Sequence, residues 1–169
     1  MSKLVTPEFK GSFVSVMEPK AFSADQDPKY SMVIGLPKSD EFWEKMTKAI
    51  EKACMDKWGE IPKKLKTFFK DGNDEDEKYG WEGLKLFTAS NKTKPGVVIK
   101  EDGVLREPIS NDEIYSGAVY RCSVRPYAYE YNKSKGVAIS LDNVMKVRDG
   151  DKFTSRAKAE DDFSDFLDD

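Results

Sequence analysis

The chain has 169 residues, a net charge of −3, 38% hydrophobic content, two cysteines and no histidine. Such a length and apolar content suit one cored domain with a tail, and the missing imidazole excludes Ser-His-Asp and Cys-His catalysis and any zinc site built on histidine. No apolar run is long enough to span a bilayer, MSKLVTPEF lacks the apolar centre of a secretory signal, and the distant pair Cys54 and Cys122 fits a reduced, cytoplasmic setting.

Residues 1–10 read as a short arm. Residues 11–17 (GSFVSVM) alternate with the period of a strand and end at Glu18-Pro19. KAFSADQDPK is a loop with turn chemistry at Asp27-Pro28, and it carries Lys20, Phe22 and Lys29. Residues 30–36 (YSMVIGL) form a second strand that begins at Tyr30 and stops at Pro37, so the two strands can pair as a hairpin. Ser39 is placed to cap a helix whose apolar stripe is Phe42, Met46, Ala49, Ile50, Ala53 and Cys54, with Gly59 as its stop. IPKKLKTFFK is basic and aromatic, either a loop that touches a ligand or a short packed segment. DGNDEDEKYG reads as a solvated, mobile loop; it has oxygens enough for a cation but lacks the EF-hand pattern. Residues 84–90 (LKLFTAS) form a third strand, NKTKPG a basic turn with Lys92 and Lys94, VVIK a fourth strand, and EDGVLREPISNDE a polar connection.

Residues 114–147 are the most informative stretch. Ile114, Ser116, Ala118, Tyr120, Cys122 and Val124 alternate as a core face, and Arg121, Arg125, Tyr127, Tyr129 and Tyr131 fall on the other. NKSKG, with Lys133 and Lys135, is a turn in which Gly136 supplies positive φ, and VAISL returns as the next strand. Arginines, lysines and tyrosines gathered on one hairpin can pair phosphates and stack bases, although each tyrosine could equally serve the core. The coarse order is β-β-α-β-β-β-β, mainly β, with one main helix among the strands.

After Val147 the periodicity fades. Residues 151–169 read as a flexible linker and an acidic tail, DDFSDFLDD, behind a domain over residues 1–150. The tail sets Phe163 and Phe166 among Asp161, Asp162, Asp165, Asp168 and Asp169, and solubility alone gives no reason for the aromatics. Without the six acids of residues 160–169 the body carries +3; without the five of residues 71–77 as well, it carries +8. A polyanion ligand therefore suits the body despite the acidic total.

No phosphate-binding glycine motif and no clustered metal-ligating acids are present, which argues against an enzyme and for a binder without cofactors or metals. The segments MEPKAF (17–22), KYSMVIGLPK (29–38), LFTASNKTKPGVV (86–98) and IYSGAVYRCSVRPYAYEYNKSKGVAISLDNVMKVRDGD (114–151), with the acidic phenylalanine-containing end, resemble the phage single-stranded DNA-binding proteins of the Enc34-like family, a distant relation of the T7-type single-strand binders. The resemblance implies an OB-fold Greek-key barrel, sequence-independent binding of single-stranded DNA, and a role in phage DNA replication or recombination in the host cytoplasm. Six acids tethered beside a basic body, with two phenylalanines among them, point to a tail that regulates DNA access and recruits replication or recombination proteins. The helix after the second strand rather than the third departs from the usual OB order. Homo-oligomerisation stays open. Two rivals remain: an RNA-binding OB protein and a protein-binding adaptor.

Overall fold

The computed structural model describes residues 3–21 and 24–152 and the single positions Phe163 and Phe166. In chain order the strands are β1 (Leu4–Val5), β2 (Phe9–Lys10), β3 (Ser12–Lys20), β4 (Lys29–Pro37), β5 (Lys70–Asp71), β6 (Leu84–Asn91), β7 (Gly96–Glu101), β8 (Val104–Arg106), β9 (Val119–Tyr131) and β10 (Ser134–Arg148). One helix, α1 (Phe42–Trp58), lies between β4 and β6.

The long strands close on themselves. β3 pairs with β4, β4 with β6, β6 with β10 in parallel at Ser90 and Ser140, and β10 with β9. β2 runs on through Gly11 into β3 and pairs with β9, which completes the ring. Five strands in this Greek-key order make an OB-type barrel. Alternation fills it: Met32, Ile34 and Leu36 of β4 meet Ala89 and Phe87 of β6, and Tyr120, Cys122 and Val124 of β9 meet Leu141 and Val144 of β10. Tyr120 is fully buried, and its hydroxyl donates to the Tyr115 carbonyl at 2.7 Å while accepting from the Tyr115 amide at 2.9 Å. That satisfied phenol is what lets so large a polar side chain sit in the core. Burial and lost hydration push its pKa far above the ordinary tyrosine value, so the phenol keeps its proton. Helix α1 buries Phe42, Trp43, Met46, Ala49 and Cys54; of the expected stripe, Ile50 and Ala53 are only half-buried, and Trp43 joins it. Among the described residues, no helix is long and apolar enough to cross a membrane.

Several local expectations are corrected. The arm is not free of structure: β1 and β2 both pair with β9, and Thr6 receives the Cys122 amide at its hydroxyl. β3 runs through Pro19 to Lys20, tolerable because this part of β3 is irregularly paired at an edge. The helix cap is supplied by Asp40, whose Oδ1 accepts the Phe42 amide at 2.9 Å, rather than by Ser39. Gly59 does stop the helix, in the left-handed region at φ 72°. The connection after β7 folds into β8 and a 3-10 turn over Asn111–Glu113, with Asp102 and Gly103 both at positive φ in the tight turn. The hairpin turn between β9 and β10 places Asn132 and Lys133, not Gly136, at positive φ. Gly136 is inside β10, and a Cβ there would stand 2.6 Å from the Tyr129 ring, so glycine serves ring packing instead.

Candidate nucleic-acid interface

Because Met32 and Ile34 point into the barrel, their alternate neighbours Lys29, Ser31 and Val33 lie on its outer side. Register carries that side across the strands: Ser31 is opposite Ser90, Ser90 beside Ser140, and Ser140 opposite Arg125. At this level the surface opens into a groove of about 390 Å3 lined by Lys29, Ser90, Asn91, Lys92, Arg125 and Tyr127. Lys20 is the cross-strand neighbour of Lys29. One residue of β10, Asp142, is extra in the pairing with β9, and such a bulge re-aims a side chain. Its carboxylate meets the Arg125 guanidinium, 2.7 Å from Nε, and also accepts from the Ser140 hydroxyl. Asn91 Nδ2 donates to Ser140 Oγ and to the Leu141 carbonyl, both at 3.2 Å. Arg125 is therefore held in place, with part of its charge already answered by Asp142.

The same outer side continues along β4 and β6 to Val33, Thr88 and Leu86, where aromatic side chains surround a second cavity: Phe13, Phe68, Tyr79 and Trp81. Tyr79 and Trp81 stack at 4.5 Å and 19°, with Phe13 5.6 Å from Tyr79 and 6.2 Å from Trp81. Phe13 and Phe68 are half exposed. The acidic stretch 71–77, expected to be a mobile solvated loop, is the scaffold for this cluster. It forms two 3-10 turns, Gly72–Asp74 and Glu77–Tyr79, capped by the side chains of Asp71 and Asp76, which accept the Asn73 and Lys78 amides. Lys38 donates to Asp71 at 2.7 Å and holds that carboxyl below the usual carboxylate range. Asn73 Oδ1 accepts the Gly83 amide, closing the loop's base. Gly72 is required beneath Trp81, since a Cβ there would lie 1.9 Å from the Trp81 carbonyl oxygen.

The match that decides the family spans residues 2–169, to the model of the single-stranded DNA-binding protein of Enterobacter phage Enc34. The chain belongs to that family. It is 31% identical over 153 residues to protein p50 of Acyrthosiphon pisum secondary endosymbiont phage 1, across 85% of this chain and 82% of that one. In fold it is similar to the Enc34 single-stranded DNA-binding protein in complex with single-stranded DNA, with a TM-score of 0.76 at 24% identity over 90% of this chain and 89% of that one. It is also similar to gp2.5, the single-stranded DNA-binding protein of bacteriophage T7, with a TM-score of 0.60 at 16% identity over 99% and 95% of the two chains.

This Enc34-family chain brings together only some of the residues that the sequence singles out. Lys29, Lys92, Arg125 and Tyr127 meet at the groove, Lys92 also lying 3.8 Å from Asp27, while Lys20 pairs with Lys29 across the strands but lines a separate cavity beside β3. Tyr129 and Tyr131 follow on the same side of β9, Tyr131 largely exposed and Tyr129 packed over Gly136. Lys133 tips the hairpin, and Lys94 is exposed in the turn after β6. Three residues lie elsewhere. Arg121 donates from Nε to the Thr6 carbonyl at 3.0 Å and ties down the arm. Tyr30 is half-buried opposite Asn91 and does not itself line the groove. Lys135 stands 5.3 Å over the Trp58 ring at the end of α1. Phe22 lies outside the described residues, as do Asp161, Asp162, Asp165, Asp168 and Asp169, whereas Phe163 and Phe166 are exposed. Phe13, Tyr79 and Trp81 were not singled out in the sequence, whereas Phe68 and Lys70 belong to the basic, aromatic stretch 61–70 read as either a ligand-touching loop or a short packed segment.

Proposed function

We propose that this chain binds and coats single-stranded DNA during replication or recombination of phage DNA, as a non-enzymatic protein of one binding domain (residues 1–150) and a regulatory tail (residues 151–169). One observation carries the reading. A single outer track on β4 and β6 joins the aromatic cluster of Phe13, Phe68, Tyr79 and Trp81 to the basic groove of Lys29, Lys92, Arg125 and Tyr127. In OB barrels this face, with the loops at its ends, is where oligonucleotides lie. Rings stack bases of any identity while lysines and arginines answer phosphates, so the track as a whole tolerates any sequence. The Enc34 protein, whose complex holds single-stranded DNA, shares the family and supports the same ligand here.

The test is fluorescence anisotropy with a single-stranded DNA oligonucleotide, its duplex, and the matching RNA across a salt series. Binding should be tightest for single-stranded DNA, and log affinity should fall linearly with log salt by about 0.7 per phosphate neutralised. Equal binding to duplex or salt-independent binding would overturn the proposal. A preference for RNA would favour an RNA-binding protein, since the 2′-hydroxyl is what separates the two ligands. No binding to any strand would leave the protein-binding adaptor.

A further inference from the structure

The aromatic half of the track surrounds a cavity of about 240 Å3. Besides rings, its wall contains two opposite charges, Lys70 and Glu75, and the Thr88 hydroxyl side chain. Lys70 is in register with Leu86, which puts it on the outer side with Thr88, while Glu75 comes from the junction of the two 3-10 turns. Among the described residues neither charge has an ion-pair partner, although both face one cavity. A cation and a carboxylate kept apart across a ring-lined space form a donor and an acceptor for one planar group.

We propose that this cavity holds one unstacked base of the bound strand and that Glu75 makes it a guanine-preferring subsite. The inference rests on the reading of this face as the single-strand track. Guanine alone among the four bases offers two adjacent N–H donors, N1–H and the N2 amino group, which a carboxylate accepts as a pair. Its neighbouring O6 is an acceptor for the Lys70 ammonium. Thymine offers one N–H between two carbonyl oxygens, which set a carboxylate against like partial charge. Adenine and cytosine give one amino donor each and fall between. Phe13 and Tyr79 supply the ring surface against which the base lies. The acidic loop thus acquires a function: it carries the carboxylate that reads one base while the rest of the track reads none.

The experiment measures anisotropy with an oligo-dT 12-mer and with the same strand carrying one central dG, dA or dC. Because a bidentate contact discriminates by several-fold or more, the dG strand should bind about five-fold or more tighter than all-dT. Glu75→Ala should reduce that ratio to under about two-fold. It should tighten all-dT binding, since the carboxylate that faces thymine's carbonyl oxygens has been removed. Glu77→Ala removes an acid that does not line the cavity, so it should shift all four strands together and keep the ratio. Circular dichroism melts of both variants exclude unfolding as the cause. Equal affinity for all four strands, or a preference that survives Glu75→Ala, overturns the subsite and leaves the single-strand reading intact. Failure to bind any strand overturns both.

Discussion

At the scale of single residues, Phe13 is the most telling side chain. It is a bulky non-glycine residue at φ 49°, half exposed, inside a strand whose register with β4 slips between Ser12 and Ser15. A left-handed backbone costs roughly 1–2 kcal/mol for a residue with a Cβ, and such cost persists where the surroundings impose it. The bulge turns the ring outward onto Tyr79 and Trp81 instead of along the strand. Phe13→Ala and Phe13→Gly should both weaken single-strand binding, by about 1–3 kcal/mol if the ring stacks a base. Glycine alone relieves the backbone, so Phe13→Gly should be more stable than Phe13→Ala by about 1 kcal/mol in urea titration. Equal stability of the two would show that the positive φ is not kept in solution. This conformation also explains why the ring was invisible to sequence reading: period-two counting assumes an unbroken strand, and a bulge resets it. The outward placement of Arg125 and Tyr127 was legible from the alternation of β9, whereas the bond that ties Arg121 to the Thr6 carbonyl joins residues far apart in the chain and leaves no local pattern to read.

At the scale of elements, the segment before β9 is fastened by charge rather than by apolar burial. Arg106 of β8 donates from Nη2 to Glu113 at 2.7 Å and from Nε to Glu101 at 2.6 Å, and Glu113 also accepts the Ile109 amide at 2.8 Å. The Arg106 guanidinium, followed by that amide, holds the Glu113 carboxyl down at about 2, from an ordinary value of 4.5. A depressed carboxylate stabilises the fold above its unfolded value, and that contribution is lost as pH falls through the folded one. Melting temperature should therefore drop between about pH 5 and pH 2. Arg106→Met should start lower at neutral pH, fall less steeply over that window, and meet the wild type near its acid end; parallel curves would refute the assignment. Hairpins of this kind are poorly legible from sequence: EDGVLRE reads as polar connection because β8 has only three residues and two of them, Val104 and Leu105, face solvent. The five barrel strands and α1 were legible because each buries one alternating or helical face. Closure through β2 was not, since two-residue pairings leave no period to count.

At the scale of the whole molecule, charge is divided between a basic body and acidic residues 160–169. The described chain leads into that segment at Lys152, which stands 5.3 Å over the Tyr115 ring, itself hydrogen-bonded to Asp149 and to Gly150. Lys146, almost fully buried, donates to the Glu113 carbonyl at 2.7 Å and pairs with Asp149 at 2.6 Å, so the start of the tail is anchored to the barrel. From there eleven residues lead to Phe163, a covalent length of at most about 3.5 Å each. A tethered segment acts at an effective concentration on the order of millimolar, so even weak pairing of its aspartates with Lys29, Lys92 or Arg125 competes with DNA. On the proposed reading, a tail displaced by DNA would offer Phe163 and Phe166 to apolar pockets of other proteins, with aspartates for their basic rims. Truncation after residue 159 should therefore tighten single-strand binding, most at low salt, where screening is weakest. Phe163→Ala with Phe166→Ala should leave DNA affinity nearly unchanged and reduce capture of purified phage replication or recombination proteins. If truncation leaves DNA affinity unaltered across the salt series, charge competition is refuted, because removing six acids from a competing tether cannot leave a salt-dependent equilibrium in place.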